Sequence, residues 1–324
     1  MPVSSDQPSH AWKGYALAVL AAASWATGGL TAKWLFSPLD ATTSAWPLPP
    51  LGMQIDPAVL SGARALTAFA LLAAYLVFHR PGEIRVSIRE VPFLAVFGVF
   101  GLAAVHFTYF KAISYTNVAT AILLEYLAPV IVLVFSVAFL GERLTWSLPA
   151  GVALSITGCA LVVGAASPGG IVVSVRGVAW GLAAAAFFAL YSLLGKHAAG
   201  RFSPWRLLVF GLGFATLFWV IYLRGVTAIF GAMSSPGGAA SIVYVAVVST
   251  IVPFSAFLKA LHYIDATRAT VTATLEPVIA GIAAWLLLGE TFDGTQLAGG
   301  AFVMCAILLV QRTGHARESL PPAT

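Results

Sequence analysis

The feature that most constrains this chain is that much of it is written twice. Residues 259–310 answer residues 111–162 at a constant offset of 148, without a gap. Lys111, Ala112 and Tyr115 fall on Lys259, Ala260 and Tyr263, and Leu127, Pro129, Val130 and Ile131 fall on Leu275, Pro277, Val278 and Ile279. Leu140, Gly141, Glu142 and Gly151 then fall on Leu288, Gly289, Glu290 and Gly299. Shared Pro and Gly-Glu positions are more specific than shared hydrophobicity, and a repeat dictates how a fold is assembled. Upstream the match continues at other offsets. Lys13-Gly14 and Lys33 match Arg176-Gly177 and Lys196 at 163, while Ser61 and Arg64 match Ser203 and Arg206 at 142. The drop from 163 to 142 puts the extra residues of the first half in the stretch 37–57, which holds five prolines and no periodic pattern and reads as an irregular loop.

The solvent for most of the repeat is lipid. Hydrophobic residues make up 60% of the chain and charged residues 9%, and the mean hydropathy is +0.92. A soluble chain carries charge on roughly a quarter of its residues. Ten apolar spans are expected at about 13–36, 58–79, 91–113, 117–139, 146–166, 177–198, 206–223, 240–262, 267–288 and 295–312, each near the length that crosses a bilayer. The runs do not alternate as barrel strands do. The fold class is therefore an all-α membrane protein of ten transmembrane helices, arranged as a first five-helix repeat (13–166, with the loop 37–57) and a second (177–312). Five is odd, so the second copy enters the membrane from the opposite side. Inverted repeats of this kind mark transporters, with the binding site near the midplane between halves.

The net charge of +5 does not imply nucleic acid, because the basic residues sit beside apolar runs where topology explains them. Of the seventeen Lys and Arg, Lys33, Arg64, Lys111, Arg176 and Arg224 fall towards the outside and the rest inside, with the N-terminus in the cytoplasm. The tails 1–12 and 313–324 are then cytoplasmic. No cleavable leader is expected, as residues 1–12 are polar and the first span is long. Cys159 and Cys305 lie within apolar helices and read as small buried hydrophobes. Trp12, Trp34, Trp146 and Trp205 read as interfacial anchors.

Glu125 is the sharpest polar signal. It stands about eight residues into the fourth span, where an acidic residue costs roughly 2.5–3.5 kcal/mol near a helix centre. Pro129 cannot donate back to the Glu125 carbonyl, so one turn offers a carboxyl and a freed acceptor. Glu125 is either a cavity wall and the candidate for proton coupling or a protonated carboxyl bonded between helices. Glu276 and Pro277 form a related pair that frees the Ala273 carbonyl, serving packing, gating or ligand contact. His106 and Tyr109 share a face of the third span. The histidine either exchanges a proton or pairs with substrate, or else is neutral and bonded to a neighbouring helix. Trp25, Trp180 and Tyr191 are mid-span aromatics that line a cavity or pack against lipid. Glu142 reads as a helix-end ligand. Gly151, Ser155, Gly158, Gly299 and Gly300 suit close helix approach.

These residues resemble a known family. Tyr115, Ala121, Leu124, Leu127, Pro129, Val130, the run Leu140 to Leu144 and Gly151, with Leu275-Glu276-Pro277-Val278 and Leu288-Gly289-Glu290, look like the EamA domain of the drug/metabolite transporter superfamily. The resemblance covers residues 13–312. It implies ten helices around a central cavity in the bacterial inner (plasma) membrane and export of metabolites, amino acids or toxic compounds. Glu125 departs from the family pattern, as does the length of the loop 37–57. No Ser-His-Asp grouping in a recognisable context, no HExxH and no P-loop is present. The expected function is a secondary transporter of a small-molecule substrate by alternating access, without cofactor or metal. Uptake or exchange, and a membrane-embedded enzyme or sensor, are the alternatives.

Overall fold

The computed structural model describes residues 10–36, 55–116, 118–165, 174–288 and 293–318. Most of the loop 37–57, the outer parts of both tails and Gly289-Glu290 lie outside the described residues, as do the side chains of Lys33 and Trp34. Among the described residues every regular element is helical. They are α1 (Ala11–Phe36), α2 (Pro57–His79), α3 (91–115), α4 (Val118–Glu125), α5 (Ala128–Phe139), α6 (Ser147–Val162), α7 (Val175–Ala198) and α8 (Pro204–Tyr222), then α9 (Thr227–Ala232), α10 (236–260), α11 (Ala266–Ala273), α12 (Glu276–Leu288) and α13 (Gly294–Glu318).

Seven stretches are long and apolar enough to cross a membrane: Ala58–His79, Val91–Ile113, Thr120–Phe139, Val175–Ala198, Pro204–Tyr222, Pro236–Ala260 and Gly294–Gln311. Helix starts follow side-chain caps. Asp56 accepts from Ala58 N at 2.7 Å, ahead of Pro57, and Ser203 and Ser235 cap α8 and α10 in the same way ahead of Pro204 and Pro236. A side-chain acceptor satisfies the orphan amides, and proline at the first position has no amide to satisfy. These caps carry α8 and α10 two to four residues upstream of the starts expected from hydropathy alone.

Two irregularities recur at the repeat offset. Turns of π-helix occupy Phe97–Ala103 in α3 and Val247–Ile251 in α10, ending at positions 148 apart. Helix breaks separate α4 from α5 at Tyr126-Leu127 and α11 from α12 at Thr274-Leu275, again 148 apart. Each break precedes a proline by two residues, where the missing amide ends the bonding ladder.

The contacts between halves repeat as well. A Cβ on Gly151 would meet Val310 and the Ala306 carbonyl, and one on Gly299 would meet Val162 N and the Gly158 carbonyl. Shifting either set by 148 produces the other. Gly14 lies against Tyr263 and Ile264, and Gly177 against Tyr115 and Thr116, so those pairs correspond too. The pairing of residue 151 with 310 and of 162 with 299 makes α6 and α13 antiparallel. Gly151, Gly158 and Gly299 let these helices approach closely, as expected, whereas Gly300 does not serve this role, since a Cβ there would meet only Val278 at an ordinary 3.7 Å.

The larger apolar core joins α1, α2, α3, α7, α8 and α10 around Leu76, Phe97, Tyr191, Leu208, Trp219 and Phe257. A second one, around Leu148, Val152, Cys159, Val303 and Val310, holds α6 to α13. Cys305 corrects the sequence reading: it is exposed, whereas Cys159 is buried. The face of α13 that meets α6 carries Gly299, Val303, Ala306 and Val310, and residue 305 lies off it. Trp12 and Trp146 are exposed at helix ends, where anchors belong.

Candidate functional site

The helix breaks bring the polar groups together. Because Pro277 has no amide, the Ala273 carbonyl is released from its helix, and the Tyr126 hydroxyl reaches it from the other break at 3.2 Å. The same phenol oxygen stands 2.6 Å from Glu276 Oε2. A phenol has one proton. With Glu276 protonated, the carboxyl donates to Tyr126 and Tyr126 donates to Ala273; with Glu276 ionised, the phenol proton goes to the carboxylate and the carbonyl loses it. Two helix breaks from different halves thus share one proton-dependent contact.

Glu125 ends α4 one residue before that tyrosine and is partly exposed within the bundle. It lies within electrostatic reach of Glu276, and Tyr109 of α3 is within reach of both carboxyls. No hydrogen bond holds the Glu125 carboxyl among the described residues, since Tyr126 turns to Glu276. Pro129 and Pro277 are buried just beyond the breaks. Repeat equivalence makes the asymmetry plain. Ala273 stands where the first half has Glu125, and Ala128 stands where the second has Glu276.

His106 is one turn before Tyr109 on α3. Its Nδ1 faces the Leu102 carbonyl at 2.8 Å, and its Nε2 faces Arg64 Nη2 of α2 at hydrogen-bond range. A carbonyl only accepts and a guanidinium only donates, so Nδ1 carries the proton, Nε2 is bare and the ring is neutral. His106 is thus tied to the neighbouring helix α2 through Arg64. Arg64 is the residue that sequence reasoning missed. Counted there with the outward basic residues, it sits seven residues into α2 and points inward. That depth within an apolar run was the signal that could have found it.

Trp25 and Tyr191 belong to one aromatic cluster. Trp25 meets Phe254 at 5.4 Å and Phe257 at 5.6 Å between ring centroids. Tyr191 meets the same two rings at 5.4 and 5.7 Å, and its hydroxyl donates to the Phe254 carbonyl at 3.4 Å. Phe254 also touches the His106 ring, at 5.7 Å, and so links this cluster to Arg64. Trp180 stands apart, edge-on to Phe107 at 5.6 Å in a group with Trp219 and Tyr222.

At one end of the bundle, Lys196 Nζ donates to the carbonyls of Leu261 and Ile264, each at 2.9 Å, closing the end of α10. Nearby, Glu142 Oε2 accepts from Thr267 Oγ1 at 2.9 Å in the first turn of α11, the helix-end role its sequence position suggested. Burial, with Asp265 adding repulsion, holds the Glu142 carboxyl above the usual carboxylate range.

Known proteins resemble this chain over most of its length. The model of the EamA-like transporter family matches residues 50–164 and 175–312. A transporter of Archaeoglobus fulgidus is 32% identical over 68% of this chain and 75% of its own length. The probable terminal-alkyne amino-acid exporter of Streptantibioticus cattleyicolor is 28% identical over 80% of this chain and 84% of its own. The threonine/homoserine exporter RhtA of Escherichia coli is 28% identical over 80% and 86%. A solved crystal structure aligns with 94% of this chain and 99% of its own at a TM-score of 0.73 and 19% identity, which speaks to the fold alone. With both halves matched, the chain belongs to the EamA-like transporter family of membrane proteins.

Proposed function

We propose that this protein exports a small amino-acid-like metabolite across the bacterial inner membrane, by alternating access of two inverted five-helix halves. The observation that carries the reading is the pair of carboxyls at the helix breaks, Glu125 and Glu276, set in a chain whose relatives include named amino-acid exporters. Reciprocal contacts support the two-fold relation of the halves, since residue i meeting j while their repeat equivalents meet in the same way is what two-fold symmetry requires. Because α6 and α13 are antiparallel, that axis runs across the helices, which suits an inverted repeat in the membrane plane. Ten helices follow if α1, α6 and the broken pair α11–α12 also span.

The substrate path runs between the halves, beside α3, α4 and α12. There Glu125, Glu276 and Tyr109 face the cationic end of the substrate, and His106 continues the wall. Trp25 and Tyr191 form its apolar backing, Trp180 supports α3 from the far side, and Pro129 and Pro277 keep the breaks where the halves can rock. Glu125 is the coupling carboxyl in this reading, without a hydrogen-bond partner among the described residues and so available to exchange a proton. Purified protein in proteoliposomes tests the reading by counterflow, loading unlabelled L-amino acids inside and following labelled ones outside. Accumulation of at least one is expected. No exchange across the full set would remove amino-acid export from consideration.

A further inference from the structure

The Arg64–His106 contact opens onto a narrow internal cavity that is lined by Ser61, Arg64, His106, Trp219, Thr250 and Phe254 and has a volume of about 10 Å³, the room that one water needs. Arg64 lies roughly 10 Å along α2 from its start, at 1.5 Å per residue. Among the described residues the ion pairs are Arg206–Glu83 and Arg268–Asp265, and no carboxylate reaches Arg64. A guanidinium offers five N–H donors, and one neutral imidazole takes only one of them. Ser61, one turn earlier on the same face of α2, is 1% exposed and its hydroxyl has no partner among the described residues. An intramembrane cation without a counter-ion is costly and is kept for function.

The repeat supplies a control for the argument. Arg206, equivalent to Arg64, is satisfied from within the chain. It donates to the Gly82 carbonyl at 2.9 Å and the Glu83 carbonyl at 3.3 Å, and it pairs with the Glu83 carboxylate at 3.8 Å. Among the described residues Arg64 has no such acid. Its surroundings are also irregular helix: the cavity is walled by Leu102 and Ala103 from one π-helical turn and Thr250 from the other, and such turns often mark functional sites.

We propose that Arg64, together with Ser61, is the subsite that receives a carboxylate of the transported molecule, with His106 holding the guanidinium in place until the substrate takes it. The planar fork of arginine matches a carboxylate bidentately, and the serine hydroxyl supplies a third donor. The cavity has room for one water here, so the carboxylate enters as His106 gives the guanidinium up, and a planar carboxylate needs less widening between Trp219 and Phe254 than a tetrahedral phosphate does. The inference rests on the export reading and sharpens it.

The test compares L-α-amino acids with their carboxamides and methyl esters on the purified full-length protein, through the shift in thermal unfolding midpoint and through counterflow in proteoliposomes. On the unaltered protein the acids should bind at least about tenfold more tightly than the amides, the worth of a hydrogen-bonded charge. Arg64→Gln should abolish that preference and Arg64→Lys should keep part of it. Amides and esters that bind and exchange as well as the acids would leave export standing and overturn the Arg64 subsite, as would an Arg64→Gln protein that keeps the preference. If neither acids nor amides exchange, amino-acid export itself falls and takes the subsite with it. The acid-to-amide comparison needs no variant, so it decides the matter even if Arg64→Gln fails to fold.

Discussion

At the scale of single residues, protons and their partners decide the chemistry. Glu125→Gln keeps volume and hydrogen-bonding capacity but cannot titrate. In proteoliposomes under an imposed pH gradient, this variant is expected to exchange substrate while ignoring the gradient. Full gradient-driven transport by Glu125→Gln would leave Glu125 as a packing residue. Tyr126→Phe tests the contact between the breaks. Removing the hydroxyl strands the Ala273 carbonyl that Pro277 has released, a loss of about 1–3 kcal/mol for a buried unpaired group, to be read from thermal unfolding in detergent. Glu142 carries a pH prediction of its own. Its carboxyl is raised above the usual range by burial first and by Asp265 second, so the folded state holds its proton more tightly than the unfolded state does. The stability it contributes is full below the unfolded pKa and declines as pH rises through the folded one. Glu142→Gln should therefore match the parent near pH 4 and unfold about 1–2 °C higher at pH 8, a small effect because the group is partly solvent-screened.

At the scale of elements, what matters is where helices touch and where they stop. Gly158 and Gly299 bring α6 and α13 into backbone contact: a Cβ on Gly158 would lie 2.8 Å from the Gly299 carbonyl and from Val303 N. Backbone cannot step aside as a flexible side chain can, so Gly158→Ala should destabilise by about 1–3 kcal/mol through overpacking. Gly300 is the matched control. There a Cβ would meet only Val278, at an ordinary 3.7 Å, and alanine is the better helix former by about 1 kcal/mol. Gly300→Ala should be neutral or stabilising in the same unfolding assay, and equal effects at both positions would contradict the close-approach account.

At the scale of the whole molecule, two related halves meet through reciprocal contacts, and their sequences differ where the polar groups gather. Glu125, Glu276 and His106 face Ala273, Ala128 and Phe254 across the repeat. A scaffold made of two copies is symmetric by construction, whereas a substrate with unlike ends needs unlike walls. Topology belongs to this scale as well. A reporter fused after Arg317 is expected in the cytoplasm and one inserted at 41–55 outside it, following the excess of Lys and Arg at inner ends. If both reporters read the same side, an even number of spans would lie between them and the count of ten in two equal halves would be wrong.

The sequence by itself determined the membrane setting, the repeat and the place of both helix breaks. Hydrophobicity, a self-match at offset 148 and the missing amides of Pro129 and Pro277 are all local properties that need no partner to be read. It also exposed Glu125 and Glu276, because a carboxyl inside an apolar run is conspicuous wherever the run packs. Only the tertiary structure decided what those groups face. Nothing local says that Tyr126 spans from one break to Ala273 and Glu276 at the other, or that Cys305 turns outward while Cys159 is buried. Arg64 and Arg206 occupy equivalent positions with similar neighbours in sequence, yet one meets a carboxylate and the other a neutral imidazole beside a cavity. The reason is physical: a charge inside a helix bundle takes its character from groups on other helices, and those arrive only when the chain has folded.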